Sequence, residues 1–207
     1  MKAIIQRVTK ASVAVGGDQI NSVGRGLCVL LGISSEDTEK DAEYMVSKIL
    51  NLRLFEDESG RAWSKSVMDK NFEVLCVSQF TLHCVLKGNK PDFHLAMPAE
   101  LAQPFYDSIL ERMRSVYKPE LIKDGKFGAL MQVHIQNDGP VTIEFASPSG
   151  PTDPKMLAKQ EKQQLRRDKC CPKGPQEPSR EGGARRHQQA STTSSSAEGD
   201  EESEKAF

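Results

Sequence analysis

The sequence predicts an α+β fold, in which β-barrel-like, antiparallel-rich sheets are flanked by two helices. Three observations support this. Many short apolar runs are separated by turn residues, two segments have the apolar spacing of an amphipathic helix, and strands and helices do not alternate as in a doubly wound sheet. With 207 residues, the chain has room for one domain of roughly 150 residues and an appendage.

Strands are predicted where apolar residues alternate or run together between Gly, Asp and Ser clusters. The segment "GLCVLLGI" is almost continuously apolar, which is typical of a strand buried on both faces. The stretch "ASVAVGGDQINSV" is predicted to form a hairpin that turns at Gly16-Gly17-Asp18. The predicted strands in the first part of the chain are 3–8, 11–15, 19–23, 26–33, 52–56 and 72–84.

Two helices are predicted from residues spaced three and four apart. Residues 35–51 carry Ala42, Met45, Val46, Ile49 and Leu50 on one face, with Ser34 or Ser35 as the cap. A second helix is predicted over 100–117, where Pro104 should kink the helix or delay its start. Residues 86–98 between strand and helix are predicted to be a loop.

The segment "LMQVHIQNDGPVTIEF" is predicted to be a closing hairpin. Val133 and Ile135 alternate with polar residues before Gly139-Pro140, and Val141 and Ile143 do so after it. A Gly and a Pro together are typical of a turn between two strands.

The chain changes composition after residue 147. We predict a domain over residues 1–147 and a disordered charged tail over 148–207, because the tail has almost no large apolar residues to bury. Residues 155–169 hold six Lys and Arg against two acids, and 194–204 hold five acids. The basic block is either a solvated appendage or a contact for nucleic acid, DNA included. The acidic surroundings of Ser195 and Ser203 suggest phosphorylation.

Several classes of function lack support in the sequence. It has no phosphate-binding GxxxxGK[ST] loop, no GxSxG elbow and no HExxH motif. Cys28, Cys76 and Cys84 lie in apolar stretches and are expected to be buried, whereas Cys170-Cys171 lie in the tail. We therefore expect no metal and no cofactor. No membrane span or secretory signal is predicted, so we expect a cytoplasmic protein, with the nucleus as a second location.

Residues 1–147 carry 17 Lys and Arg against 19 Asp and Glu, a formal charge of −2. This balance argues against wrapping a long duplex, which needs many phosphate contacts, but is compatible with gripping a short single-stranded end.

Two motifs place polar residues or glycines in apolar surroundings. In "CVSQFTLHC", Ser78, Gln79 and Thr81 interrupt an apolar strand; they are either satisfied hydroxyls at a strand end or the lining of a site. In "GKFGALMQV", Gly125 precedes Phe127 and Met131, which indicates either loop flexibility or a backbone that approaches a ligand closely.

These motifs resemble those of the D-aminoacyl-tRNA deacylases. The similarity covers about residues 1–145 and includes "GLCVLLGI", "VSQFTL", "KGNKPDF", "GKFGALMQV" and "NDGPVT". Vertebrate members are the most similar in kind, because they too carry a polar, charged tail.

The resemblance implies a homodimer with the deacylase fold, and a tRNA substrate whose 3′-terminal aminoacyl-adenosine enters the site. Ser78, Gln79, Phe80 and Thr81 would line the catalytic pocket, and Gly125, Phe127 and Met131 would contribute to substrate binding. Gly139-Pro140 would be a Gly-cis-Pro pair inserted into the partner subunit's site. Ser78 matches the chirally strict members, since the paralogue that tolerates some L-amino acids has Pro there.

The chemistry implied is hydrolysis of the ester between a D-amino acid, or glycine, and tRNA. Backbone N–H groups near Phe80 and Thr81 would stabilise the oxyanion, and the 2′-hydroxyl of the adenosine would help to activate water. Two alternatives stay open: a DNA-binding, replication-associated protein that uses the basic block, and a small-molecule esterase or amidase with Thr81 as nucleophile.

Overall fold

The computed structural model describes residues 1–148. The predicted tail therefore lies outside the described residues, apart from Pro148. The strands are Lys2–Val15 (β1), Asp18–Val23 (β2), Gly26–Gly32 (β3), Glu73–Ser78 (β4), Val85–Lys87 (β5), Lys90–Asp92 (β6), Ile122–Asp124 (β7) and Met131–Ala146 (β8). The helices are Glu39–Asn51 (α1), Val67–Lys70 (α2) and Ala99–Val116 (α3), with 3-10 helices at Phe80–His83 and Pro119–Leu121.

Six strands form one mixed sheet in the order β2-β1-β3-β4-β7, with β8 paired to β1. Strand β1 pairs antiparallel with β2, β3 and β8, whereas β4 runs parallel to both β3 and β7. The barrel-like α+β prediction is confirmed. The antiparallel part is the half built around β1, and the parallel pairs β3-β4 and β4-β7 form the other end of the sheet.

The long strand β8 corrects the predicted closing hairpin. Residues 131–137 and 142–146 both pair with β1 and run in the same direction, so the chain does not reverse at Gly139-Pro140. The register jumps between the pairs Val8↔Asn137 and Gln6↔Thr142. Three extra residues of β8 are therefore accommodated in a bulge, which projects Gly139-Pro140 out of the ladder.

Helix α1 begins later than predicted. Its N-cap is Thr38 rather than Ser34 or Ser35, because Thr38 and Asp41 bond reciprocally in a capping box. Helix α3 runs unbroken through Pro104 from Ala99, so the predicted delay of its start is wrong. The five apolar residues predicted on α1 are all buried.

Two predicted strands are shorter than expected, and one predicted loop is ordered. Residues 52–56 form no strand beyond the single bridge Phe55↔Lys65. Strand β4 ends at Ser78, where the chain turns into a 3-10 helix instead of continuing to Cys84. The predicted loop after Cys84 contains the small hairpin β5-β6.

The core lies between the sheet and the two long helices. Strand β3 is buried along nearly its whole length, as its apolar sequence predicts, with Leu27, Cys28 and Val29 fully covered. Cys76 is also buried, but the prediction for Cys84 is wrong: it follows the 3-10 helix and is exposed.

Candidate active site

The end of β4 opens into a cavity of about 430 Å³. It lies where the sheet meets the N-terminal turn of α3, so that strand ends, one loop and one helix each supply part of the wall. Most of the wall is apolar. The lining residues are Leu31, Ile33, Ser78, Gln79, Phe80, Phe93, Ala96, Met97, Pro98, Ala99, Ala102, Phe127 and Gly128.

The floor of this cavity is the sharp turn after β4. The backbone N–H of Gln79 donates to the carbonyl of Leu31 (2.7 Å), which is the last link to β3 before the chain turns. The Gln79 amide then donates to the hydroxyl of Thr81. Gly32 allows the turn to pack on β3, because a Cβ there would lie 2.9 Å from Leu82 Cβ and 3.0 Å from the Gln79 carbonyl.

The turn leaves backbone donors free. Within the described residues, the N–H groups of Phe80 and Thr81 have no hydrogen-bond acceptor, while those of Leu82 and Cys84 donate to Gln79 and Thr81. Free N–H groups are normal in the first turn of a helix, where no preceding carbonyl is in position. Two such donors beside a cavity can stabilise an oxygen that gains negative charge.

Aromatic rings form two sides of the cavity. Phe80 is 57 % exposed and packs edge-on against Phe93, with 5.1 Å between ring centroids. Phe127 packs against Tyr106 at 5.6 Å, and the Tyr106 hydroxyl donates to the carbonyl of Cys76 (2.9 Å). Burial raises the pKa of Tyr106 far above its usual value, so this phenol stays a neutral structural donor.

The Gly139-Pro140 bulge is exposed, and the peptide bond between the two residues is cis. Asn137 braces it, since its carboxamide oxygen accepts from the N–H of Val141 (2.7 Å). Arg7 anchors it from β1. The guanidinium donates to the Asp138 carbonyl (3.2 Å), pairs with the Asp138 carboxylate (3.1 Å) and donates to the Leu54 carbonyl (2.7 Å).

His83 lies behind the turn and is 7 % exposed. Desolvation lowers its pKa, which keeps the ring neutral at neutral pH, and its Nε2 has no partner within residues 1–148. The described residues hold no group of three His, Cys, Asp or Glu side chains placed to bind a metal ion. In the same part of the chain, every helix is too short or too polar to cross a bilayer.

Comparison with known proteins shows the family of this chain. The family model described as D-Tyr-tRNA(Tyr) deacylase matches residues 4–146, which include the turn, both aromatic walls and the bulge. The chain belongs to this deacylase family.

Individual relatives agree with the family match. A D-aminoacyl-tRNA deacylase 1 from Danio rerio is 70 % identical over 205 residues, 99 % of each chain. The human protein of the same name is 71 % identical over 184 residues, 87 % of this chain and 88 % of the relative. A solved structure described as c-Myc DNA Unwinding Element Binding Protein is 75 % identical with a TM-score of 0.70, covering 72 % of this chain and all of that one.

The deacylase motifs do not all lie in one place in this subunit. Ser78, Gln79, Phe80 and Phe127 line the cavity, and Thr81 reaches it through its bond to Gln79. The Gly139-Pro140 pair does not line it. The roles predicted for all these residues remain predictions.

Gly125 and Met131 do not line this cavity. A Cβ at Gly125 would lie 2.7 Å from Met131 Sδ, and Met131 packs on the small core cluster of Val13 and Val77. Their role in substrate binding stays a prediction.

Three parts of the site were not predicted from the sequence. Phe93 and the stretch Ala96–Pro98 form a cavity wall inside the predicted loop. Arg7 lies in the predicted strand 3–8, and only 17 % of its side chain is exposed. The signal available in the sequence was an arginine inside the apolar run "AIIQRV", because arginine is rarely buried without partners.

Proposed function

We propose that this protein hydrolyses the ester that joins a D-amino acid to the terminal adenosine of tRNA, in translation quality control. The observation that carries the proposal is the cavity at the end of β4, with two unpaired backbone N–H groups at Phe80 and Thr81, in a chain of this deacylase family. The aminoacyl-adenosine would occupy the cavity.

The chemistry needs little from side chains because the substrate is an activated ester. Water attacks the carbonyl carbon, and the carbonyl oxygen takes up negative charge beside the N–H groups of Phe80 and Thr81. The bond to the ribose oxygen then breaks, and that oxygen receives a proton while the free amino acid leaves. The neighbouring ribose 2′-hydroxyl assists in activating the water.

Thr81 is proposed to position the turn rather than to act as the nucleophile. Its hydroxyl accepts a hydrogen bond from the Gln79 amide, and no carboxylate or imidazole of the described residues bonds to it. A hydroxyl nucleophile requires an adjacent base. The variant Thr81→Val should therefore retain hydrolysis without forming an acyl-enzyme, whereas a trapped acyl-enzyme on Thr81 in the parent protein would favour the esterase alternative.

Selection against L-amino acids is proposed to come from Gly139-Pro140 of a second subunit. L and D isomers exchange the side chain and hydrogen on Cα, so a rigid backbone wall can reject every L side chain without reading its identity. The bulge is exposed and held by Arg7 and Asn137, which makes it a suitable wall. The exposure of Phe80 and of Leu130 (93 %) supports a homodimer that covers them.

Such a wall cannot reject glycine, which has no side chain at either position. We therefore propose that glycyl-tRNA, including tRNA wrongly charged with glycine, is also a substrate. An enzyme that clears D-aminoacyl-tRNA but leaves glycyl-tRNA intact would contradict selection by rejection alone.

The test is hydrolysis of one tRNA charged in turn with a D-amino acid, its L-isomer and glycine. We expect the D-isomer and glycine to be released and the L-isomer to stay bound to tRNA. Equal D and L rates, or no hydrolysis, would refute the proposal. Sedimentation equilibrium of the same sample tests the homodimer, which a purely monomeric active enzyme would exclude.

A second proposed function is DNA binding through the basic block at 155–169. It is favoured by the similarity to the 75 % identical solved structure described as a DNA unwinding element binding protein. The formal charge of −2 on residues 1–147 argues that the body contributes little. Deleting residues 148–207 should abolish DNA binding and leave deacylation intact; retained DNA binding would place it elsewhere. We propose a cytoplasmic location, with the nucleus as a second one, which fluorescence microscopy of the full chain tests.

A further inference from the structure

The hairpin β5-β6 carries two lysines, Lys87 and Lys90, to the rim of the cavity. It comprises Val85–Asp92, and we refer to it as the lysine hairpin. Its two strands pair only with each other within the described residues, and its tip, from Leu86 to Pro91, is exposed. Phe93 follows directly and forms part of the cavity wall. The hairpin is therefore fixed to the site at its base and free at its tip.

One of the two lysines of the lysine hairpin is held in place by an acid. The Asp92 carboxylate accepts from Lys87 Nζ and from both the backbone N–H and the ring of His94. The bonds from Lys87 and His94 lower the pKa of Asp92 well below its usual value, so the carboxylate stays charged. Lys90 is exposed and makes no ion pair among residues 1–148. Residues 85–92 thus hold two lysines against one carboxylate, a formal charge of +1.

The other cavity that borders Phe127 offers no excess of positive charge. It has a volume of about 370 Å³, and its wall includes the acids Asp107 and Asp124 and the cation Lys126. Arg114 pairs with Asp124 (2.8 Å), so the two acids there face two cations. A chain of phosphates that leaves the active site therefore gains no net attraction at this cavity, whereas the lysine hairpin has one positive charge in excess.

We propose that the lysine hairpin binds the phosphodiester groups of the single-stranded 3′ end of tRNA as it leaves the active site, with Lys87 and Lys90 as the contact residues. This inference rests on the proposed function, because it requires the terminal adenosine to occupy the cavity. The hairpin strands are three residues long and extend about 10 Å beyond Phe93, enough to reach past the terminal nucleotide. Phosphate contacts of this kind give affinity without reading sequence.

The test compares a long and a short substrate in the full-length protein. The long one is tRNA charged with D-tyrosine, and the short one is 3′-O-(D-tyrosyl)adenosine, which has no phosphodiester. The variants are Lys90→Ala and the double variant Lys87→Ala/Lys90→Ala. Lys118→Ala is the matched control, an exposed lysine beyond the far end of α3, which spans about 21 Å from Ala102 to Val116.

On the long substrate, each lost phosphate contact should lower binding about 5-fold at 0.1 M salt, since the salt exponent for single strands is about 0.7 per contact. We expect the double variant to lose about 25-fold in kcat/KM, and its salt dependence to flatten by about 1.4 in logarithmic slope. Hydrolysis of the short substrate should match that of the parent protein and of Lys118→Ala.

The outcomes separate the two proposals. If the parent protein hydrolyses neither substrate, the proposed function is refuted. If both substrates are hydrolysed and the double variant keeps the parent's tRNA rate and salt slope, the role of the lysine hairpin is refuted. Loss of both substrates together with a change in sedimentation would also refute it, since the hairpin would then serve subunit contact or folding.

Discussion

The Gly139-Pro140 bulge makes the sharpest prediction, because one added methyl group should disturb it. Gly139 has φ +121°, where L side chains are rarely accommodated. A Cβ there would lie 2.9 Å from Val141 Cγ2 and 3.1 Å from Arg7 Nη2. In Gly139→Ala the backbone conformation alone should cost about 1–3 kcal/mol. This corresponds to a fall in Tm of about 2–12 °C for a protein of this size.

Function should respond as well as stability. Restoring an ordinary contact distance of 3.4 Å to Val141 requires a displacement of about 0.5 Å. Misplacing a positioning group by about 1 Å can cost on the order of 100-fold. We therefore expect the ratio of D to L hydrolysis to fall about tenfold, or about 1.4 kcal/mol. The assay is release of amino acid from tRNA charged with each isomer of tyrosine.

Gly60→Ala is the matched control. Gly60 also has a positive φ, +82°, but a Cβ there would meet nothing within 4 Å, and the residue lies in the turn after Asp57, outside the cavity wall. It should lose stability without any change in the D to L ratio. A Gly139→Ala protein that is destabilised yet keeps the parent's ratio would refute the reasoning that the bulge selects the isomer.

Three further predictions concern residues around the sheet. Arg7→Lys should lower the D to L ratio of hydrolysis more than the rate on the D-isomer, because one ammonium cannot replace a guanidinium that contacts two oxygens of Asp138 and one of Leu54. Equal losses in the ratio and in the rate would contradict this. His83 has a lowered pKa in the fold, so the unfolded chain binds a proton at this residue more readily, and the free energy of unfolding should fall as pH drops below about 6.5. The difference in Tm between pH 7.5 and pH 5.5 should therefore be smaller for His83→Gln than for the parent protein. An equal difference in Tm would exclude this cause. Gly26→Ala should cost more than about 3 kcal/mol in urea unfolding, because its Cβ would lie 1.9 Å from the carbonyl oxygen of Glu73 on the neighbouring strand; a cost under 1 kcal/mol would mean that the two strands separate easily.

Long-range pairing explains most of what the sequence could not predict about the fold. Alternation on both sides of Gly139-Pro140 is the same for a hairpin as for one bulged strand. The difference lies in β1, which pairs with both halves of β8. The early end of β4 at Ser78 has a similar origin, because Gly32 on another strand creates the space in which the turn can form. Strand β3 was predictable because burial on both faces requires a continuous apolar run.

The candidate site was predictable where polar residues interrupt apolar ones. Ser78 and Gln79 stood out in this way, and both line the cavity. Phe93, Met97 and Ala102 did not stand out, since apolar residues in a loop and a helix are equally consistent with ordinary packing. Their assembly into a wall depends on how the N-terminal turn of α3 docks against the sheet, which no local pattern records.

The composition of the wall bears on how an enzyme could accept many side chains yet reject one stereoisomer of each amino acid. Contacts such as those of Leu31, Phe93 and Met97 distinguish ligands by about 1–3 kcal/mol for each methylene group, which gives preferences but not exclusion. Strict exclusion requires rigid atoms near Cα, where the two isomers differ whatever the side chain. In one subunit the fixed groups at the turn are the N–H donors of Phe80 and Thr81, which suit the carbonyl oxygen. A second rigid backbone element is still needed to distinguish the two stereoisomers. The Gly139-Pro140 bulge, which is anchored and projects outward, has the rigidity for this task.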